Sequence, residues 1–503
     1  MGIPSYFRRV LQKYPGCLSR SVEIKTDVLC FDFNCLIYRC LRSPSLRPYP
    51  SELEDQGDWE NEFINEILKC VKEIWMEAQK PKQVFIAVDG VVPMAKIRQQ
   101  RVRRFKSAWL RKGQQAVGFD TNALTPGTAF MSKLCRRLHE HASERVGWEV
   151  SGVEAHGEGE HKILHWLRSK DVKGKIMVYG LDADLILLSM LVSEQLQEAN
   201  LFLLRELQEF GGKQKQEAQG KQEYQCMNLF EFKKRLGLEG KQQVLNYIAL
   251  MSLMGNDFLP HSITHKLNDD GHEYVLEELR NGTQVVDEAG KLRLDVLQCV
   301  FQRWAKDEQT KLLEMIKKKQ EQAKRGVLQG MEPQEGLPLE WNVEASLVKH
   351  RELVPNWKQL YWEWIHPTQG QLATQRICHE YVYGCQWILD YYLGNPVDVH
   401  WLFQSWVPPL WSDLANHTVL EPKEMSKEAP PLPEEQLAMV LPLESWGLIK
   451  NREHRLLPSL CPQMWPTKFD FFSLGRKWLW ECEARIPPLT AGRLREILIR
   501  KNQ

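Results

Sequence analysis

The sequence has 503 residues, 43% of them hydrophobic, which suffices to bury a large core and, at roughly 100–200 residues per domain, suggests about three domains or one core with additions. Its formal net charge of +1 excludes a global field that would draw in nucleic acid or membrane, so any electrostatic recognition has to come from local patches. No apolar run reaches the roughly 18 residues of a membrane span, the N-terminus lacks the apolar stretch of a signal peptide, and Tyr6 breaks the myristoylation pattern.

In chain order, "DVLCFDF" (27–33) and "QVFIAVDG" (83–90) predict buried strands, with the amphipathic "NEFINEILKCVKEIWMEA" (61–78) as a helix between them. "KIMVYGLD" (175–182) and "NLFLLRE" (200–206) predict two more strands. Alternation of this kind predicts an α/β fold, a mostly parallel sheet flanked by helices. The polar stretch 211–225 is expected as an exposed loop. A charged, solvated helix is expected over 306–325 and a loose linker over 326–338. Residues 340–413 are rich in Trp and Tyr, a Pro-rich connector covers 427–435, and a compact tail runs to 503. No internal repeat occurs. The expected organisation is an α/β domain over 1–305, helix and linker over 306–338, a helical Trp-rich region over 339–426, and a segment over 427–503 that packs on the core.

The 12 cysteines are scattered, and none forms C-x-x-C. That spacing signals neither a zinc site nor a disulfide framework, and reduced thiols in an intracellular protein are the simplest reading.

Three predicted strands end in aspartate, at Asp32, Asp89 and Asp182. In open parallel sheets ligands bind beyond the carboxyl ends of the strands, so these residues would share one rim. Asp184 follows Asp182 in "GLDADLILLSM", Glu158 and Glu160 sit at an expected helix start in "HGEGEHKILHWL", and Asp257 closes an apolar helical pattern in "LMGNDFLP". Any one of these could merely cap a helix, since Asp is a preferred N-cap. Seven together need compensation, because two like charges about 4 Å apart repel by about 4 kcal/mol at an effective dielectric of about 20. Hard oxygen donors suit Mg²⁺ or Mn²⁺. Two such ions among carboxylates are the device for in-line displacement at a phosphodiester, one activating water and the other stabilising the leaving oxygen.

"KIRQQRVRRFKSAWLRK" (96–112) carries eight Lys or Arg and no acid. A surface helix normally mixes signs for i,i+4 support, so a one-signed run directly after an expected metal ligand is more than a solvated face. Lys96, Gln100, Arg103 and Arg104 fall at i, i+4, i+7 and i+8, on one side of a helix. That side suits phosphate oxygens, which Arg binds in bidentate fashion. The footprint is local and basic, as for a phosphate or nucleic-acid site.

These stretches resemble those of a known family. "MGIPSYFRRVLQKYP", "FDFN", "AVDGVVPMAKIRQQRVRRF", "FDTNALTPGTAFM", "GEGEHKI", "YGLDADLILLSM" and "MGNDFLPH" occur in that order, followed more loosely by "YVYGCQWILDYY", "PPLWSDL" and "PPLPEEQLAMVLP". The chain resembles the XRN family of 5′→3′ exoribonucleases, in a compact form without the long C-terminal extension. The resemblance covers nearly the whole chain. It implies a 5′-nuclease or PIN-like α/β core whose active site is completed by the helical Trp-rich region. By motif position it implies Asp32, Asp89, Glu158, Glu160, Asp182, Asp184 and Asp257 as ligands of two Mg²⁺ or Mn²⁺ ions. It likewise implies Lys96, Gln100, Arg103 and Arg104 as a 5′-phosphate pocket. Where the family commonly has a His that stacks on the 5′ nucleotide, this sequence has Tyr38. Most tryptophans of 356–411 are expected in the core. Trp401 is expected opposite Tyr38, with Trp406 in reserve, so that two rings sandwich the terminal base.

The resemblance further implies hydrolysis of single-stranded, 5′-monophosphorylated RNA to mononucleotides in RNA decay. It implies decapping or RNA-decay proteins as partners, no membrane contact, and a cytoplasmic place with a nuclear one left open. Two other readings remain. A structure-specific 5′ flap DNA nuclease usually follows its last Asp with a Gly-rich helix–hairpin–helix, whereas Asp257 is followed by "FLPHSITHKLNDDGHEY". A non-catalytic RNA-binding decay scaffold would have lost carboxylates, and none is lost.

Overall fold

The computed structural model describes residues 6–20, 24–111, 118–170, 172–196, 198–207, 222–267, 269–328, 343–366, 368–476 and 481–501. Outside them lie residues 1–5 of the first motif, Lys112, all of the expected loop except 222–225, and all of the expected linker except 326–328. The chain forms two compact units. One takes Met1–Val92, Gln115–Val244 and Leu432–Leu437; the other takes Pro93–Gln114, Leu245–Pro431 and Ala438–Gln503.

The first unit is built on a seven-stranded sheet: β1 (Leu18–Arg20), β2 (Val28–Asp32), β3 (Gln83–Ala87), β4 (Trp148–Ser151), β5 (Gly174–Tyr179), β6 (Ala199–Glu206) and β7 (Tyr224–Asn228), in the order β1-β7-β6-β5-β2-β3-β4. From β4 through β3, β2 and β5 to β6 the strands are parallel; β7 and β1 are antiparallel additions. Every residue of β2 is buried, as a central strand covered on both faces requires. The four strands legible in the sequence are β2, β3, β5 and β6. The edge strand β4 is not, because Trp148–Ser151 is short, half polar and only partly buried. The chain runs from β2 outward to β3 and β4 on one side and through β5 to β6 on the other, so the sheet reverses direction between β2 and β5. Loops leaving the carboxyl ends of two such strands diverge and open a crevice.

Helices α1 (Tyr6–Lys13), α2 (Asn34–Cys40), α3 (Leu53–Glu77), α5 (Ala129–Ser143), α6 (Gly159–Lys170), α7 (Asp184–Ser193) and α8 (Leu229–Leu236) belong to this unit, whereas α4 (Met94–Leu110) groups with the second. On α3 the residues Trp59, Phe63, Ile67, Val71 and Ile74 recur at spacings of three or four and are all buried, the apolar stripe of an amphipathic helix. On α7 nine successive residues from Asp184 to Val192 are buried, so this helix is enclosed all round. Leu432–Leu437 returns to the unit late in the chain. There the buried Gln436 Oε1 accepts from the Val92 amide at 2.9 Å.

The second unit is largely helical. Besides α4 it holds α10 (Gly271–Arg280), α11 (Leu294–Trp304), α12 (Glu308–Leu328), α13 (Trp357–Ile365), α14 (Thr374–Leu393), α15 (Trp411–Leu414), α17 (Leu457–Leu460) and α18 (Ala491–Lys501), while α9 (Gly240–Ser252) and α16 (Pro433–Val440) straddle the two units. The expected division at 305 is therefore not how the chain compacts: α4 and residues 245–305 group with the Trp-rich region. Long-range contacts decide this. Arg101 of α4 donates 2.5 Å to Met439 O, and the buried Lys319 of α12 pairs with Glu344 at 2.6 Å while donating 2.7 Å to Ser473 O. Among the described residues no helix is long and apolar enough to cross a membrane. All 12 cysteines are free thiols.

Aromatic packing centres on His265, which is fully buried. Its ring is nearly parallel to Trp304, and its Nδ1 accepts from Trp411 Nε1 at 2.9 Å. Next to it, Glu308 Oε1 accepts from the Trp411 amide at 2.5 Å and Oε2 from the Ser412 hydroxyl at 2.7 Å, which caps α15. Burial pushes the His265 imidazole down to about 4, only partly offset by the Asp307 carboxylate. Unfolding restores an ordinary value near 6.5. The folded state thus binds fewer protons, and the stability His265 contributes is complete above pH 6.5 and lost as pH falls toward 4. By pH 5 the loss should reach about 2 kcal/mol. Urea titrations at pH 7 and pH 5 should show a larger drop for the wild type than for His265→Gln, and equal drops would refute the assignment.

Candidate active site

Asp32 closes β2, and α2 begins two residues later, so the carboxylate stands where the central strand meets a helix. Asp89 lies two residues past β3 and is fixed from three sides. Asn34 Nδ2 donates to its Oδ2 at 2.8 Å, Asn34 Oδ1 accepts from its amide at 3.2 Å, and the Gly159 amide donates to its Oδ1 at 2.7 Å. Gly159 opens α6 and sits between Glu158 and Glu160, both buried. A Cβ at Gly159 would stand 2.8 Å from Asp32 Oδ1 and 3.4 Å from Asp89 Oδ1, so both carboxylates reach the same α-carbon. A Cβ at Gly180, just past β5, would come within 3.3 Å of Asp32 Cβ. The loop carrying Asp182 therefore leaves beside Asp32, at the point where the strand order reverses. Asp184 begins α7 and is only 1% exposed.

The surrounding groups report on the charge gathered here. Burial, followed by the carboxylates of Asp32, Glu206 and Asp182, holds the Cys35 thiol well above its ordinary value. Its Sγ donates to Asp32 O at 3.1 Å. Lys162, also buried, donates to Val88 O at 2.7 Å and to Gly152 O at 2.8 Å, which ties the loop before Glu158 to the end of β3. Burial pushes its ammonium down to about 8, against the pull of Asp89 and Glu154. Glu158, Glu160 and His161 each offer one ligand atom, all within 4.8 Å of one another. The donors are hard, closely spaced and mostly oxygen, and they suit a divalent cation such as Mg²⁺ or Mn²⁺. Asn34, Gly159, His161 and Lys162 did not emerge from the sequence reading. Asn34 carried no local signal, since the carboxylate it holds, Asp89, is 55 residues further along the chain. Tyr38 is half-buried one turn beyond Asn34 on the same face of α2.

Six of the seven predicted carboxylates are in the first unit; Asp257 is in the second, with the basic helix and Trp401. Asp257 lies within an Asx turn in which Asn256 Oδ1 accepts from the Phe258 and Leu259 amides at 2.9 and 2.8 Å. Its Oδ2 is 2.7 Å from Lys96 Nζ, and its Oδ1 accepts from Gln99 Nε2 at 3.3 Å. Burial pushes this carboxyl up, but the Lys96 ammonium outweighs it and holds the group at about 2. Gln100 and Arg104 are buried on the same side of α4, and Arg103 is half-buried.

The one-signed charge of α4 has a second cause that the sequence conceals. Arg98 donates to Ser405 O at 3.4 Å and lies 4.8 Å above the Trp406 ring. Arg101 is almost fully buried against Phe105 and Trp465 and donates to the Met439 and Met464 carbonyls. Lys106 donates to Cys482 O at 2.8 Å. Three of the basic residues thus satisfy backbone carbonyls.

Trp401 is 6% exposed. Its ring lies 5.0 Å from Trp387 and 5.9 Å from Tyr383, and a Cβ at Gly384 of α14 would meet it at 2.8 Å. Trp406 is half-buried and near-parallel to Phe472.

Comparison with known proteins identifies the family of the chain. Residues 1–207 match the profile described as the XRN 5′-3′ exonuclease N-terminus, and residues 340–502 match the Xrn1 helical domain. The chain is 27% identical to 5′-3′ exoribonuclease 1 of Homo sapiens over 601 aligned positions, covering 99% of this chain and 34% of that protein. It is 23% identical to a 5′-3′ exoribonuclease 2 homolog of Drosophila melanogaster, covering 99% of this chain and 71% of that protein. A 31% identity to 5′-3′ exoribonuclease 1 of Schizosaccharomyces pombe extends over 52% of this chain and 22% of that protein. The chain thus spans about a third or less of the length of the two relatives named exoribonuclease 1. Both domains of one family are matched, in order, and the similarity runs the length of the sequence: the chain belongs to the XRN family.

Proposed function

We propose that this protein is a metal-dependent 5′→3′ exoribonuclease that hydrolyses single-stranded, 5′-monophosphorylated RNA to mononucleotides. The observation that carries the reading is the convergence of Asp32 and Asp89 on Gly159, between the buried Glu158 and Glu160, at the carboxyl edge of β2 and β3. Asp32, Asp89, Glu158, Glu160, Asp182 and Asp184 would hold divalent cations there, with Asp257 assigned by family resemblance. Bound Mg²⁺ or Mn²⁺ supplies positive charge for the phosphodiester oxygens and lowers the pKa of a bound water. The chain's own part is orientation. Asn34 and the Gly159 amide fix both oxygens of Asp89, and the Lys162 clamp holds the Glu158 loop against β3. Neutral amide donors orient a carboxylate without cancelling its charge.

Selection of the 5′ end falls to α4. Lys96 is paired with Asp257, and Arg103 and Arg104 on the same face are the guanidinium groups that suit a terminal phosphate. Tyr38 is the plane on which a terminal base would stack, sequence-independently. Trp401, packed against Trp387 and Tyr383, and the more open Trp406 are the tryptophans assigned to a base by motif position. A role in cytoplasmic RNA decay is in keeping with the family resemblance.

Asp184→Asn should lower turnover by about 10²–10³-fold or more, on the scale of losing a group that stabilises transition-state charge. Its circular dichroism should be unchanged, and EDTA should silence the wild type. Undiminished activity in either case would sink the metal reading.

Arg103→Ala combined with Arg104→Ala should erase the preference for 5′-monophosphate over 5′-hydroxyl RNA, each lost charged hydrogen bond costing about 1.5–3 kcal/mol. A wild type that degraded both substrates equally would remove the basis for this pocket.

Tyr38→Ala should leave that end preference intact while shortening each binding event. Partly digested RNA would then accumulate on a sequencing gel; a ladder like that of the wild type would return Tyr38 to a packing role.

A further inference from the structure

His161 adds a nitrogen to a donor set otherwise made of oxygen. It directly follows Glu160 in the first turn of α6, and a ligand atom of each of Glu158, Glu160 and His161 lies within 4.8 Å of the other two. Opposed donors on an octahedral ion with bonds of about 2.1 Å stand about 4.2 Å apart. A small side-chain rotation therefore brings all three onto one ion. The backbone around them is held in place: Gly159 is locked to Asp89 by a 2.7 Å hydrogen bond, and Lys162 is committed to two carbonyls.

We propose that His161 is a nitrogen ligand to the ion held by Glu158 and Glu160, and that it makes this part of the site prefer Mn²⁺ to Mg²⁺; the inference rests on the metal-dependent reading above. Mg²⁺ favours oxygen donors and keeps much of its water, whereas imidazole suits transition metals. An imidazole among carboxylates thus tilts selection toward Mn²⁺.

The test is Mn²⁺ binding to the full chain without RNA, followed by electron paramagnetic resonance with Mg²⁺ as competitor. The wild type should show ¹⁴N coupling to bound Mn²⁺ in pulsed spectra. His161→Ala should lose that coupling and bind Mn²⁺ at least about tenfold more weakly, the low end for losing even a supporting group at a metal site. Its affinity for Mg²⁺ should change much less. His161→Gln, which keeps a polar side chain of similar reach, should show the same losses, so the result does not hang on the alanine variant folding. Persistent ¹⁴N coupling in either variant, or equal weakening of both ions, overturns the His161 assignment while leaving the metal reading standing. A wild type that binds no Mn²⁺ overturns both.

Discussion

A methyl group at position 159 would stand 2.8 Å from Ala87 O and 2.8 Å from Asp32 Oδ1, closer than a real Cβ approaches such atoms. The start of α6 is therefore wedged between the ends of β2 and β3, and the rest of the carboxylate rim follows from that approach. The Gly159 amide meets Asp89 because nothing on its α-carbon holds it away. Glu158 and Glu160 flank this residue, with ligand atoms within 4.8 Å of each other. Gly90 plays the matching part on the strand side, since a Cβ there would fall on Ala155 O at 1.8 Å. Two missing side chains let the 152–158 loop close against the sheet, with Lys162 as the clamp. Donors fixed by backbone in this way do not have to reorganise when charge develops, which is what electrostatic catalysis asks of a site.

Both units close buried charge against a partner, the first by seating Lys162 on two carbonyls. In the second, ions are closed against opposite charge or a carbonyl: Lys96 with Asp257, Lys319 with Glu344, Arg101 with the Met439 and Met464 carbonyls. Removing one member of such a set strands the other in a medium that cannot solvate it, so these contacts specify the packing more than they stabilise it. At the rim of the first unit Asp89 is held by amides, which orient and do not neutralise.

The central strands were legible because β2, β3, β5 and β6 are near-continuous apolar runs, and the rim was legible because each of three runs stops at an aspartate. The edge strands β1 and β4 and the antiparallel β7 between β1 and β6 were not, being short or only partly buried. The face of α4 could be drawn from helical spacing, yet its partners could not. The Lys96–Asp257 pair spans 161 residues and the Arg101–Met439 contact 338, beyond any local pattern. The same limit hid the grouping of α4 with the helical unit. Trp401 was chosen by its place in a motif, while its 6% exposure depends on Gly384, Trp387 and Tyr383, which sequence order does not put beside it.

The first unit also has an order of assembly built into it. Its sheet strands have all been synthesised by residue 228, but Leu432–Leu437 belongs to the same unit, and the Val92 amide takes its partner from Gln436. Domains generally fold as units during synthesis, N-terminal ones first. Here the N-terminal unit cannot close while some two hundred further residues are still being added. A ribosome pausing in that interval would hold a sheet already formed beside a Val92 donor still waiting for its acceptor.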